Sequence, residues 1–469
     1  MKTAHQSGQD ALSSILSNTN IEFKTLPSLT LPDSSSILPS SFAIGSAAQA
    51  SIGAAALGAN EVYFHRTGKR QNVTVPMADA ERECTGYFRV NGKAPEAWGK
   101  YSGLYRTDDG FVRIHANFDH HRDGVLNLLG FDTADIDKAD VEQRLLTWSS
   151  EEFEQAAADA GLVVAKIRSF GEWDQHPHAA FSLAKPLIQM TKIGDAKSLD
   201  LPVLKANQRP LKNLRVVELT RILAGPVSGR TLAAYGAQVM LVNGPALPNI
   251  SAIIDTSRGK CSTHIDLKTQ PGKTSMDKLL QSAHVFIQGY RPDAIAGLGY
   301  SPTALAEKRP GIVYVSLNAY GDEGPWAGRR GFDSLVQSVS GFNHAEALAS
   351  GNELPQTLPV PILDYASGFL MAFGAQAALL QQQREGGSWH IEVSLLQTAN
   401  WLRSLGRVED GFNKPRTKIA EHLVSYDSGW GRLDAMPHAA SFSDTPAVWA
   451  RPSTEPGTHQ PNWSEFESL

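Results

Sequence analysis

At 469 residues the chain is longer than one ordinary domain, and a prior of roughly 150 residues per domain gives two or three units. A composition of 42% hydrophobic and 19% charged residues excludes a disordered chain, and a net charge of -5 excludes a general attraction to nucleic acid or to an anionic membrane. Any polyanionic ligand must therefore be met by a local cluster of Lys and Arg.

The two cysteines, Cys84 and Cys261, stand in no Cys-x-x-Cys or Cys-His pattern, so neither a disulfide framework nor a metal site is expected. The opening MKTAHQSGQD lacks an apolar signal core, and no stretch reaches the roughly 18 consecutive apolar residues of a membrane span. A cytoplasmic protein is expected, with a mitochondrial or peroxisomal location left open. The closing Glu467-Ser468-Leu469 only faintly resembles the peroxisomal Ser-Lys-Leu address.

Residues 1–40, rich in Ser, Leu and Pro, read as a poorly ordered lead-in or an arm laid over another surface. SFAIGSAAQASIGAAALGAN, from Ser41, puts Ala and Gly on nearly every face, the pattern of a buried helix whose neighbours approach closely. The strand NVTV follows. YSGLYRTDDGFVRIHANF, from Tyr101, alternates around Asp108-Asp109-Gly110 and predicts a β-hairpin with a positive-φ turn, and SEEFEQAAADAGL predicts a helix opening near Ser150. These segments make a smaller α+β unit over 41–200, closed by a proline-bearing linker between Ser198 and Pro210.

From 211 the pattern changes. LRVVEL, QVMLV, HVFIQGY and GIVYVSLN are short apolar strands separated by helical stretches, which predicts βαβ units and a parallel sheet. The fold class is α/β, with a large domain over 211–400 and a tail over 401–469 packed on its core. An internal repeat also emerges: the segment from Ser41 is matched by DYASGFLMAFGAQAALL from Asp364, each followed by a basic turn, a strand and a further helix. In that alignment Ser41 stands where the second copy has Asp364, leaving one site per chain.

Three features could carry chemistry. The loop TRILAGPVSGR places Gly225 and Gly229 between a strand and a helix, where backbone N–H groups can meet a phosphate, or simply close a tight turn. It lacks the G-x-G-x-x-G spacing, which removes the main support for a nicotinamide enzyme. Arg221, Arg230, Arg258, Lys260, Lys268, Arg291, Arg329 and Arg330 lie on segments that could reach a crevice at the carboxyl edge of the sheet, although each is by itself expected as a solvated surface charge. Asp364 opens a nearly all-apolar helix after two prolines. As an N-cap it would stabilise that helix by about 1 kcal/mol; as a carboxylate kept ionised by the helix N-terminus it could attack a carbonyl.

SLNAYGDEGPWAGRRGFDSLVQSVSG, with LTRILAGPVSGRTLAAYGAQV, SRGKCSTHIDLK, QGYRPDAIAGLGY and VPILDYASG, resembles the family III CoA-transferases of the CaiB/BaiF type, a group that includes α-methylacyl-CoA racemases. The five motifs keep the family's order. The resemblance implies a Rossmann-like domain binding coenzyme A, acyl-CoA and carboxylic acid substrates, an interlocked homodimer, and no metal or nicotinamide. It makes Asp364 the nucleophile and implies CoA contacts at Ile222, Leu223, Ile265, Lys268, Tyr290 and Leu298. The chain departs from the family where Leu223 replaces the glutamine of formyl-CoA transferases, where Asn243 and Gln288-Gly289-Tyr290 replace usual CoA contacts, and where Gly331-Phe332-Asp333 lacks the racemase histidine. Small-domain material precedes the nucleotide fold, as in a permuted or partly duplicated arrangement.

Overall fold

The computed structural model describes residues 5–132, 135–205, 207–291, 293–414 and 417–467, so Ser468 and Leu469, the end of the faint targeting resemblance, lie outside the described residues. In the first half of the chain the elements that matter are helix α1 (Gly8–Leu16), helix α2 (Ile44–Thr67), strand β1 (Val73–Thr74), helix α3 (Met77–Cys84), strands β2 (Gly103–Arg106), β3 (Phe111–Ile114) and β4 (Val164–Lys166), and strand β5 (Gln189–Gly194). In the second half come β6 (Arg215–Leu219), α4 (Ala224–Ala234), β7 (Gln238–Asn243), β8 (Cys261–His264), β9 (Val285–Gln288), β10 (Val313–Asn318), α5 (Asp333–Val339), α6 (Ile362–Glu385), β11 (Ser388–Ser394) and α7 (Leu395–Ser404).

Seven strands form the central sheet in the order β8-β7-β6-β9-β10-β11-β5. The first six run parallel, and β5 returns antiparallel along the edge of β11. Short, apolar strands buried on both faces are what a parallel sheet needs, and Val216, Val217, Val285, Phe286, Val313 and Val315 are almost wholly inaccessible. The chain winds from β6 out to β7 and β8 and then restarts on the other side at β9. The carboxyl ends of β6 and β9 therefore flank a topological switch point, where helices diverge and leave a crevice.

Cores are shared across the expected units. One apolar cluster joins residues from Ala11 through Val75 with residues from Leu211 to Phe442, whereas a separate cluster, from Tyr101 to Val164, belongs to the three-stranded sheet β2-β3-β4 and its helices. Of the two expectations for residues 1–40, the arm is what forms: α1 carries a capping box between Ser7 and Asp10 and buries Ala11, Leu12 and Ile15. The linker is fastened by Arg66, whose guanidinium donates to the carbonyls of Pro202, Pro210 and Lys212. The predicted hairpin is present between β2 and β3, but its turn uses no positive φ at Asp108, Asp109 or Gly110. Asp109 is held from outside instead, its carboxylate accepting the Ser150 N–H at 2.7 Å.

The internal repeat is visible as structure, with a different register. α2 and α6 are both 24 residues long, and Ile44 aligns with Ile362 and Thr67 with Glu385, each pair 318 apart. The same spacing pairs the capping glycines Gly68 and Gly386, strand β1 with Ile391–Glu392 of β11, and the first residues of α3 and α7. Asp364 thus corresponds to Ser46, five residues along from the expected Ser41. Helices of small residues offer no unique apolar stripe, so the register slipped until the turns and strands pinned it. By length and composition α6 could cross a membrane, yet its most apolar window is entirely buried, which makes it a core helix.

Candidate functional site

Asp364 sits in the first turn of α6, two residues after Pro361–Ile362, so the N-cap position belongs to Pro361, which makes no side-chain cap bond. The cap comes from another helix. Asp333, first residue of α5, accepts the Asp364 N–H at 3.0 Å and also the Leu363 N–H, satisfying backbone donors that open every helix. Gln337, one turn along α5, donates to the other Asp333 oxygen. Because the capping is done by Asp333, the Asp364 carboxylate is released to face the cavity. There it accepts the backbone N–H of Ala224, the first residue of α4.

Sequence reasoning expected the helix terminus to keep Asp364 ionised. Burial outweighs it: at 8% exposure, and with a second carboxylate alongside, Asp364 is pushed well above the usual carboxylate range, chiefly by desolvation and then by the Asp333 charge. Asp333 is raised for the same first reason, against the hydrogen bonds it accepts. Two buried carboxylates this close titrate as a pair holding one proton between them. Gly368 lies inside α6, where its N–H is committed to the helix. Its purpose is contact, since a Cβ there would stand 2.5 Å from the Ala224 carbonyl oxygen.

The loop between β6 and α4 brings Ile222 and Leu223 to the same cavity. Ile222 has φ of 75°, a conformation that a β-branched residue adopts only under restraint from its surroundings and at a cost of roughly 1–3 kcal/mol. Gly225 allows the loop to fold back on itself, because a Cβ there would meet the Thr220 side chain at 2.5 Å. The opposite wall comes from the first half of the chain: Trp98, Arg113, His115 and Asn117 line the cavity, whose volume is about 730 Å³. His115 stacks on Phe332 with ring centroids 4.2 Å apart. Burial, with Arg113 and His121 nearby, pushes His115 down to about 3, so it is neutral at physiological pH.

Of the remaining residues expected at the site, Ile265, Lys268, Tyr290 and Leu298 do not line this cavity. Ile265 is buried directly after β8, and Tyr290 and Leu298 pack against the cluster that contains it, so three of the four gather beyond the carboxyl ends of β8 and β9. Lys268 is exposed three residues further on. Asn243, at the end of β7, is buried with neither amide atom hydrogen-bonded among the described residues. Three of the cations expected as surface charges are instead fully buried and paired. Arg230 contacts Glu83 and Asp255, Arg258 contacts Asp255, and Lys260 lies 2.7 Å from Glu218. His121 is buried and touches Arg330 without lining the cavity.

The residues sequence reasoning missed are Asp333, Arg113 and His115. Asp333 carried a usable signal, the Asp-x-x-x-Gln spacing that puts a carboxylate and an amide one helical turn apart. Arg113 in β3 and His115 directly after it lie some 250 positions before Asp364, and no local pattern links them to it.

Comparison with known proteins places this geometry. The profile of CoA-transferase family III matches residues 211–422. An acyl-CoA transferase of Gibberella moniliformis is 31% identical over 413 residues, covering 79% of this chain and 70% of that protein. A succinate–glutarate CoA-transferase of Agrobacterium fabrum is 34% identical over 206 residues, 40% of this chain and 51% of that protein, so the chain spans about half of its length. The crystal structure of a hypothetical protein from Mycobacterium tuberculosis shares 32% identity over 42% of this chain and 56% of that one, with a TM-score of 0.39.

Proposed function

The chain belongs to CoA-transferase family III, a family of transferases, and from that premise we propose that it moves coenzyme A between an acyl-CoA and a carboxylic acid through Asp364. The observation that carries this reading is the Asp364 carboxylate itself. It is freed from capping by Asp333, touched by the Ala224 N–H, and turned to a cavity large enough for a small acyl group.

In the proposed reaction the ionised Asp364 attacks the thioester carbonyl carbon, the C–S bond breaks, and coenzyme A leaves as its thiolate, giving an aspartyl mixed anhydride. A thiol pKa of about 8.5 makes this a competent leaving group. The thiolate then attacks the aspartyl carbonyl, releasing the first acid as a carboxylate and leaving an aspartyl-CoA thioester. An incoming carboxylate repeats both steps in reverse. Thioester is exchanged for thioester, and Asp364 reacts once it has given up its proton, with Asp333 still accepting the N–H groups of the helix start. The Ala224 N–H, at the positive end of α4, faces negative charge developing on the aspartyl oxygen.

The nucleotide of coenzyme A is proposed to lie along the carboxyl edge of a Rossmann-like sheet, on Ile265, Lys268, Tyr290 and Leu298. Its pantetheine arm would pass Ile222 and Leu223 into the cavity. That route is supported by the switch point between β6 and β9, which separates the two groups of residues. A cytoplasmic location and an interlocked homodimer complete the reading; light scattering of the purified protein tests the second.

Incubation with an acyl-CoA followed by hydroxylamine should convert Asp364 to a hydroxamate that peptide mapping locates. An unmodified Asp364 with every acyl-CoA tried overturns the transferase. A second reading, racemisation of a 2-methylacyl-CoA, is favoured by one observation: His115 brings a neutral imidazole against Phe332, where the sequence lacks a histidine. It requires solvent deuterium at the α-carbon of recovered acyl-CoA, and no incorporation disposes of it.

A further inference from the structure

Resting on the transfer reading, we propose that the acid exchanged at this site is a dicarboxylic acid, whose second carboxylate is received by the guanidinium of Arg113. The argument starts from strand alternation. In β3 Val112 and Ile114 point into the apolar cluster of the small sheet, each fully buried, so Arg113 and His115 lie on the other face, which is the cavity wall. Arg113 is only 6% exposed. Burying a guanidinium costs several kcal/mol unless a partner or ligand compensates.

No such partner is present. Among the described residues no carboxylate lies within 4 Å of Arg113, and its Nε is buried without a hydrogen-bond acceptor. Asp333 is the nearest acid that acts on it, through space, but the oxygens of Asp333 are taken by the backbone N–H groups of Leu363 and Asp364 and by Gln337. Trp98 covers one face of the guanidinium, its ring centroid 4.4 Å from Cζ, which fixes the plane and leaves the N–H edge open. Beside it the Nδ1 of His115 is also buried and unpartnered.

A planar fork of donors held flat against an indole, with a neutral imidazole next to it, matches a carboxylate taken in the bidentate manner. Asp364 lines the same cavity. A substrate with one acyl carbon at Asp364 and a carboxylate at Arg113 satisfies both ends at once, whereas a monocarboxylic acid leaves the guanidinium buried and unpaired. The free acid and its CoA thioester are bound alike, because the carboxylate that meets Arg113 takes no part in the exchange.

The test uses the full chain with dicarboxylic and monocarboxylic acids of equal carbon number as CoA acceptors. The native protein should favour the dicarboxylic acid in kcat/KM, and Arg113→Met should lower that ratio about 100-fold, the order expected from losing hydrogen bonds to a charged group. Arg113→Lys, which keeps the charge but not the fork, should fall between the two, chiefly through KM, and carries the test where the methionine variant does not fold. Hydroxylamine trapping at Asp364 is run alongside. Trapping with no preference for dicarboxylic acids, or an unchanged ratio in both variants, overturns the role of Arg113 while leaving the transferase intact. No trapping with any acyl-CoA overturns the transferase reading itself.

Discussion

α2 and α6 are two versions of one part. Both are 24 residues long, both are buried over most of their length, both end in a glycine, and they pack on each other at the centre of the molecule. Their first turns differ. α6 opens with Asp364 beneath the cap supplied by Asp333, whereas α2 has Ser46 at the same place, its hydroxyl donating to the Gln6 carbonyl. A buried carboxylate, Glu346, does approach the start of α2, but it is spent on Ser40 and Ser41, before the helix begins. The lesson is that the same helix-turn-strand-helix frame carries two different first turns, and only α6 places one acid at the first turn and a second acid to do the capping.

The largest expected effect breaks that asymmetry directly. Asp364→Asn keeps the size of the side chain and removes the proposed nucleophile, so turnover should fall by a factor of about a thousand or more, with hydroxylamine trapping lost. Ser46→Asp should restore neither, since nothing at α2 caps or receives the new carboxylate.

Next in size is packing. Gly368→Val drives side-chain atoms into the Ala224 carbonyl and the Val227 side chain, both rigid, and should cost about 2–3 kcal/mol in denaturant unfolding while displacing the Ala224 N–H. Gly58→Ala meets the amide end of the buried Gln376 side chain, which must turn aside, and the Gln376 Cβ at 3.2 Å, so the helix propensity of about 1 kcal/mol that it gains is largely offset and the net change should be smaller than at Gly368. A loss at Gly58 as large as at Gly368 would mean that the two helices are held equally tightly.

A third contrast lies at the helix ends. Arg66 and Arg384 occupy equivalent positions, but Arg66 holds two carbonyls of the linker and that of Lys212 just beyond it, and Arg384 pairs with Glu385 at the surface. Arg66→Ala should cost roughly 1–3 kcal/mol by thermal melting, and Arg384→Ala less than about 0.5 kcal/mol.

The smallest effect concerns pH. The proposed transfer needs ionised Asp364, whose pKa is raised by burial and by Asp333, so the rate should fall on the acid side at a pH above the ordinary carboxylate range. Asp333→Asn removes the neighbouring charge while its amide oxygen can still accept the Asp364 N–H. The acid limb of the pH profile should therefore move to lower pH; movement to higher pH would show that Asp333 does not raise Asp364.

Much of this was legible in the residues. Alternation of short apolar strands with helices predicted a parallel sheet over 211–320, and the strands fall where LRVVEL, QVMLV, HVFIQGY and GIVYVSLN stand. Motif order pointed to the family and to Asp364. The register of the repeat was lost because a helix of alanine and glycine looks the same when shifted, and the buried status of Arg230, Arg258 and Lys260 was lost because charge in sequence does not show which acid, 3 to 147 residues away, it will be buried against.

The sequence by itself determined the local geometry, since periodicity, turn residues and helix-capping patterns act over a few residues at a time. Only the tertiary structure decided which residues make the site. Asp333 reaches the first turn of α6 across a helix packing, and Arg113 and His115 reach the cavity because β3 buries its other face. The ionisation of Asp364 was decided there too, because desolvation and a second carboxylate exist only once the chain has closed around them.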